Sequence, residues 1–430
     1  MIARARPRLV AASVVLAAVA ATAPPAAAQL APVEQRIVAA VDARTEAAIA
    51  LLARTVDQPS ATENHDGVRA VADIYAAELT ALGFETRWVD QAEVGRAGHF
   101  VAERRGRQGK RLLLIGHLDT VLQGEPFRRE GAHAYGSGIS DMKAGNLIVV
   151  EALRALHAAG ALTDRQVVVV FTGDEEDTGK PYDKSRAVLR EAAARSDVAL
   201  AFEGYEPGTA VVGRRGFSAW RLEVSGSQGH SSQIFGEERG SGAIFEAARI
   251  LAAFHQTLRE PYLTFNPSVV LGGTEVQYDP KTFGGQATGK TNVVPRSVVV
   301  EGDMRFLTRA QLEAAREKMK LIVAAGLSKT TATIAFTDGM PSMEPTEANR
   351  ALLAVMDQAS RDMGAGSVTA HDPSQRGAGD VSFVSPPLAA LDGLGALGRN
   401  EHAPGESVDL AVLPLLTRRA ALLMYRLLQP

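Results

Sequence analysis

The sequence predicts an α/β protein: a mostly parallel sheet forming the principal domain, with a smaller ferredoxin-like α+β unit inserted into it. Three observations predict this. Short continuous apolar runs at Arg111–Ile115, Gln166–Thr172 and Asp197–Phe202 read as strands buried on both faces of a parallel sheet. Between the first two, Leu147, Val150, Leu153 and Leu156 recur at helical spacing. In the middle of the chain the runs alternate instead, as in Phe217–Val224 and Thr331–Phe336, which is the pattern of antiparallel strands with one wet face.

In chain order, an amphipathic helix is expected over about 31–53, with Ile37, Val41, Ile49 and Leu52 on its apolar faces. A second follows over 66–82, and Gly83 supplies the left-handed residue that closes it. The first two buried strands flank a helix over 143–159. After the third strand come an alternating strand at 217–224, a helix over 241–258, strands near 267–272 and 297–306, a helix over 309–325 and a strand at 331–336. That is a β-α-β-β-α-β order. The principal domain resumes with a helix over 346–363, a glycine-rich loop at Gly377–Asp380, a strand at 388–391 and a terminal helix over 407–428. The expected organisation is a signal peptide over 1–28, principal-domain segments over 29–213 and 329–430, and the inserted unit over 214–328.

Composition narrows the chemistry. The 430 residues suit roughly two or three domains. With 46 basic against 49 acidic residues there is no field to attract nucleic acid. Cysteine is absent, which excludes disulfides, thiol catalysis and thiolate metal sites, so any metal must be held by nitrogen and oxygen. Arg4, Arg6 and Arg8 precede an apolar run from Leu9 to Ala21, and Ala26–Ala28 offers small residues for cleavage. This reads as a secretory signal cut after Ala28. The run is shorter than the roughly 20 residues a spanning helix needs, so a periplasmic or secreted protein without stable membrane insertion is expected. Cleavage removes three arginines and no acid, taking the formal charge from −3 to −6.

Each buried strand ends in residues able to bind metal: His117 and Asp119 after the first, Glu175 and Glu176 after the second, Glu203 after the third. In open α/β sheets these ends line one crevice. His117 and Asp119, two apart on an extended segment, point the same way, so Asp119 can accept the second ring N–H of a ligating histidine. Adjacent Glu175 and Glu176 diverge, so one can bind metal while the other acts as a general base. Asp141 precedes a helix, where it could also serve only as a cap. His402 lies in the glycine-rich stretch Gly395–Glu406. The remaining histidines, His65, His99, His133, His157, His255 and His371, read as surface, turn or packing residues, and Asp174 and Lys143 as turn and helix-start residues.

The segments Gly116–Val121, Tyr135–Lys143, Gly173–Glu176 and Asp392–His402 together resemble the M20 metallopeptidases, nearest the glutamate carboxypeptidase branch of carboxypeptidase G2-like enzymes. The resemblance implies a zinc-hydrolase catalytic domain interrupted by a lid that forms a homodimer. It implies two Zn2+ per subunit, with Co2+ or Mn2+ as substitutes. His117 and Glu203 would hold one ion, Glu176 and His402 the other, and Asp141 would bridge them. Glu175 would be the general base, Asp119 would orient His117, and His230 would reach the partner's site to stabilise the oxyanion. Asn292, Arg305 and Gly379 would contact substrate, a small peptide or N-acyl amino acid cleaved beside a free carboxylate. An aminoacylase or dipeptidase is the alternative within the family. A non-catalytic binding relative is disfavoured by the intact Glu175–Glu176 pair, and a two-metal phosphoesterase by the lack of a phosphate-cradling loop.

Overall fold

The computed structural model describes residues 30–429; the expected signal peptide and its cleavage site lie outside the described residues. Among them, no helix is long and apolar enough to cross a membrane. Two helices, Pro32–Asp42 and Thr45–Val56, replace the single one expected near the N-terminus. The chain leaves helical geometry at Arg44 (φ −113°, ψ 3°), whose guanidinium pairs with Glu151 at 2.8 Å. The next helix, His65–Thr80, is followed by Gly83 at φ +80°, as the glycine's position predicts.

Six strands form the main sheet, in the order Glu85–Gln91, Arg96–Arg104, Arg165–Thr172, Gln108–His117, Val198–Ala201, Ala389–Leu391. The last four run parallel; Arg96–Arg104 is antiparallel to its neighbour and forms with Glu85–Gln91 an edge hairpin that the sequence reading did not anticipate. The apolar runs have a direct cause. Leu112, Leu114, Val167, Val169 and Leu200 pack into one core, while Leu113, Ile115, Val168, Val170, Ala199 and Ala201 pack into a second core on the opposite face. Strands covered on both sides have no reason to alternate. Helix Ala144–Ala158 and the terminal helix Leu413–Leu428 cover the first face. The terminal helix starts at Leu413 rather than near 407, with Pro414 in its first turn where a missing N–H costs nothing. Ser407–Asp409 is instead a strand paired with His133–Tyr135.

The chain crosses from strand Gln108–His117 to a neighbour on one side and then to Val198–Ala201 on the other. That reversal opens a crevice at the carboxyl end of Gln108–His117.

The inserted unit is a four-stranded antiparallel sheet in the order Thr264–Gly273, Ser297–Phe306, Gly216–Gly226, Thr330–Asp338. Helices Gly242–Thr257 and Arg309–Ala324 pack on one face, over Trp220, Leu222, Val224, Val298 and Val300. Trp220 is buried against Phe254, consistent with a packing role. Because Thr330–Asp338 pairs along Gly216–Gly226, the unit continues past 328 and the second crossing follows Asp338. A hairpin, Glu275–Asp279 with Gly284–Thr288, is an unexpected addition in the chain between Thr264–Gly273 and Ser297–Phe306.

Candidate metal centre

His117 ends its strand 1% exposed, and its Nε2 lies 2.9 Å from Asp141 Oδ1 and 3.8 Å from Glu203 Oε1. His402 Nε2 lies 3.0 Å from Asp141 Oδ2 and 3.1 Å from Glu176 Oε2. The side chains therefore form two three-residue groups, His117–Asp141–Glu203 and Asp141–Glu176–His402, each with its potential ligand atoms within 4.8 Å and both sharing Asp141. Each Asp141 oxygen serves a different histidine. His402 sits at φ +61°, in the left-handed region, and Asn400 two residues before it at φ +58°. Such a conformation is uncommon without glycine and is retained where the surroundings demand it.

Burial and mutual repulsion shift the titration of so tight a cluster of acids. Burial, then Asp141, push the Glu203 carboxyl up to about 8. Burial likewise takes Glu176 to about 8 against the pull of His117, with Asp141 and Glu175 adding to the rise. For Glu175, burial and then Glu203 hold the carboxyl well above its ordinary range. Burial would raise Asp141 too, but hydrogen bonds to His117 and His402 override it and hold it below the ordinary value. The hydrogen bond to Asp141, opposed by burial and aided by Glu176, raises His402 to about 9. Glu176 Oε1 is buried without a hydrogen-bond partner. An unpartnered buried carboxylate oxygen, two imidazoles and mutually repelling acids make a donor set that suits divalent cations of the zinc type.

Asp119 meets His117 through both its backbone and its carboxylate. The closer partner of His117 Nδ1 is the Asp119 backbone oxygen, at 2.9 Å, with the carboxylate at 3.5 Å. The Asp119 carboxylate also accepts the backbone N–H groups of Glu175 at 3.0 Å and Glu176 at 3.1 Å, and the Thr62 hydroxyl at 2.8 Å. Its lone pairs are thus used mainly to set the turn that carries both glutamates.

The inserted unit's residues stand apart. His230 is exposed, bonded to Ser232, and its neighbour Ser231 donates its backbone N–H to Asn292 O at 2.9 Å. Arg305 pairs with Asp303 at 2.9 Å and lies 5.1 Å from the Phe217 ring centroid. None of these three contacts the cluster. Gly379 is closer: a Cβ there would meet the Arg214 guanidinium, which pairs at 2.6 Å with Asp392 behind Glu203.

Several residues escaped the sequence reading. Arg186 is fully buried and joins Asp174 at 2.6 Å to Asp380 at 2.7 Å, tying the Gly173–Glu176 turn to the Gly377–Asp380 loop. Asp174 also accepts the Gly179 N–H at 2.9 Å, the turn role expected of it. Glu406 accepts three backbone N–H groups beside Asp141. Arg186 and Arg214 carry no sequence signal, since a buried arginine looks like a surface one; Glu406 stands at the end of the His402 motif.

Comparison with known proteins bears on this geometry. The model of peptidase family M20/M25/M40 matches residues 113–426, a span containing all five residues of the two groups. The chain belongs to this family. Carboxypeptidase G2 of Pseudomonas sp. (strain RS-16) is 27% identical over 389 residues, covering 88% of each chain. A succinyl-diaminopimelate desuccinylase of Alkalilimnicola ehrlichii is 29% identical over 367 residues, covering 80% of this chain and 90% of its own. Among solved structures, the Bacillus subtilis YXEP protein, described as a dinuclear metal-binding peptidase of the M20 family, superposes with a TM-score of 0.61 at 15% identity, covering 90% of this chain and 99% of that one. This M20 chain is a hydrolase with a metal-binding group at the crevice of its parallel sheet.

Proposed function

We propose that this M20 hydrolase is an exported two-zinc enzyme that cleaves an amide bond beside a free carboxylate, in a peptide or an N-acyl amino acid. The observation that carries the reading is the sharing of Asp141 between two ligand groups. In it, His117 and Glu203 would hold one zinc, Glu176 and His402 the other. Held by these residues, two such ions would supply polarisation of the scissile carbonyl and acidification of a water toward neutrality. Glu175, adjacent to the ligand Glu176 yet directed by its own N–H bond to Asp119, takes the proton from the attacking water and returns it to the leaving nitrogen.

In the homodimer reading, the His230 side chain serves the partner's site. Ser232 N–H donates to its Nδ1 at 3.3 Å, which leaves Nε2–H to donate to the developing oxyanion. Exposed Phe235, Ile244 and Phe245 support a second copy as the cover of the lid, since apolar side chains of this size seldom cluster in water. Arg305 and Asn292 would receive the substrate carboxylate, for which a guanidinium fork is well shaped. The desuccinylase relative favours a second reading, removal of an acyl group from an amino acid by the same centre.

Changing Glu175 to Ala tests the chemistry. Turnover should be abolished while two metals per subunit persist by elemental analysis; substantial residual turnover would remove Glu175 from its role. A hydrolysis screen of dipeptides and N-acyl amino acids with the C-terminal residue varied tests the substrate class. Indifference to the free carboxylate would refute the carboxypeptidase-like reading.

A further inference from the structure

The segment entering Asp141 is not helical where it matters. Gly138 lies at φ +70°, and Asp141 itself at φ −114°, ψ 92°. Three backbone N–H groups here have no partner in the local ladder and converge on one distant side chain. Gly138 N–H donates to Glu406 Oε2 at 2.7 Å, and Ser140 N–H and Asp141 N–H donate to Oε1 at 2.7 and 2.9 Å. Glu406 is 4% exposed. Convergent backbone N–H groups form an anion-binding nest, and these lengths are those of charge-assisted bonds. The occupant of this nest comes from the chain itself, 265 residues beyond Asp141.

That occupant also belongs to the loop bearing His402, four positions earlier in the sequence. The same loop is fastened at further points: Gly136 N–H donates to Glu406 O at 3.1 Å, Ser407 pairs with Tyr135, and the Ser140 hydroxyl donates to Glu401 at 3.2 Å. Asp141 meets both histidines within 3.0 Å through opposite oxygens, so a displacement of its backbone disturbs both groups together. Among these fastenings, the Glu406 carboxylate is the one that joins the backbone N–H of the shared ligand itself to the loop of the outer histidine.

We propose that Glu406 is the positioning residue of the metal centre, its carboxylate filling the nest of Gly138, Ser140 and Asp141 and thereby setting Asp141 and His402 in one register. The inference rests on the two-metal reading above. A neutral isostere does not reproduce the contact, because a glutamine oxygen can take two of the N–H groups but its NH2 then faces the third donor.

The test uses the zinc-loaded full-length protein and its Glu406→Gln and Glu406→Asp variants. Zinc affinity is read by chelator competition, zinc release by stopped-flow transfer to the chelator, and ligand geometry by the visible absorption of Co2+-substituted protein. Glu406→Gln should bind zinc about 10- to 100-fold more weakly, the scale for residues that orient ligands, with an altered cobalt spectrum and kcat reduced more than KM is changed. Glu406→Asp, which keeps the charge but not the reach, should release zinc at a rate between those of wild type and Glu406→Gln. Should Glu406→Gln fail to fold, the release rate from Glu406→Asp decides, and release at the wild-type rate overturns the proposal. A folded Glu406→Gln with wild-type zinc affinity and cobalt spectrum overturns it as well, whatever its thermal stability, because a purely structural bond would lower stability and leave the metals alone. Wild-type protein that takes up no zinc would overturn the metal-centre reading, and this inference with it; two zinc ions in wild type with an unaffected variant would overturn this inference alone.

Discussion

His402 Nε2 lies 3.0 Å from Asp141 Oδ2, although 261 residues separate the two in the chain. His402 is the outermost of the cluster, its side chain 53% exposed against 17% for Asp141. The two should therefore differ sharply on substitution. His402→Ala is expected to lower the bound zinc from two ions to one, and Asp141→Ala to weaken both; elemental analysis after dialysis counts them. Turnover of His402→Ala should fall by about 10²–10³, the scale of a lost electrostatic stabiliser, and two firmly held ions in His402→Ala would refute the ligand assignment.

Removing the metals should expose the cluster's protons. Without metal, Glu176 and Glu203 are raised to about 8 and His402 to about 9. All three bind protons more tightly in the folded chain than in the unfolded one, so stability falls as pH rises. The carboxyl contributions are present at about pH 4 and are lost up to about 8; that of His402 is present below about 6.5 and is lost as pH passes about 9. The unfolding midpoint of the metal-free protein should decline from pH 5 to 9 more steeply than that of a metal-free Glu176→Gln, Glu203→Gln variant, because buried His99 and Lys143, both lowered, pull the whole profile the other way. Zinc competes with the same protons, so the loaded protein should gain on the metal-free one over that range. A metal-free profile no steeper than that of the double variant would contradict the arrangement.

Arg186 bridges two buried aspartates; among the described residues the other basic side chain in range is His99, 3.9 Å from Asp174, whose imidazole burial disfavours charging. Arg186→Met is expected to cost about 3–5 kcal/mol by leaving both acids unpaired in a dry site. Denaturant unfolding followed by circular dichroism measures it. The triple variant Arg186→Met, Asp174→Asn, Asp380→Asn should recover part of that loss, since no bare charge remains; no recovery would show that packing rather than charge sets the cost.

If His230 works in the partner's site, two different defects should complement each other. Glu175→Ala and His230→Ala proteins, each nearly inactive alone, should regain up to roughly a quarter of wild-type turnover when mixed under conditions of subunit exchange, because one site of the mixed dimer carries neither lesion. Absence of recovery in demonstrated mixed dimers would place His230 outside catalysis in trans.

Much of the site was legible because chemistry and topology coincide along the chain. Central strands buried on both faces must be apolar throughout, so the first polar residue after each, His117, Asp174 or Glu203, marks a carboxyl end. Those ends meet at the crevice whichever helices connect them. The lid's last strand was legible from the alternation at 331–336, but the boundary set at 328 cut it off; the pairing of Thr330–Asp338 along Gly216–Gly226 puts the boundary after Asp338. The break at Arg44 and the hairpin Glu275–Thr288 were missed because a side-chain ion pair and a short exposed ribbon leave little periodic trace.

By itself, the sequence determined the layer order, the inserted ferredoxin-like unit, and a ligand set confined to histidine and carboxylate by the absence of cysteine. Tertiary structure alone decided how that set is held: Asp119 turning its carboxylate to the Glu175 and Glu176 amides, Arg186 bridging Asp174 to Asp380, and Glu406 filling the nest before Asp141. The reason is physical. Burial of apolar side chains imposes a period that can be read along the chain, whereas a buried charge must find its partner wherever folding delivers one, and that distance is not written in any local pattern.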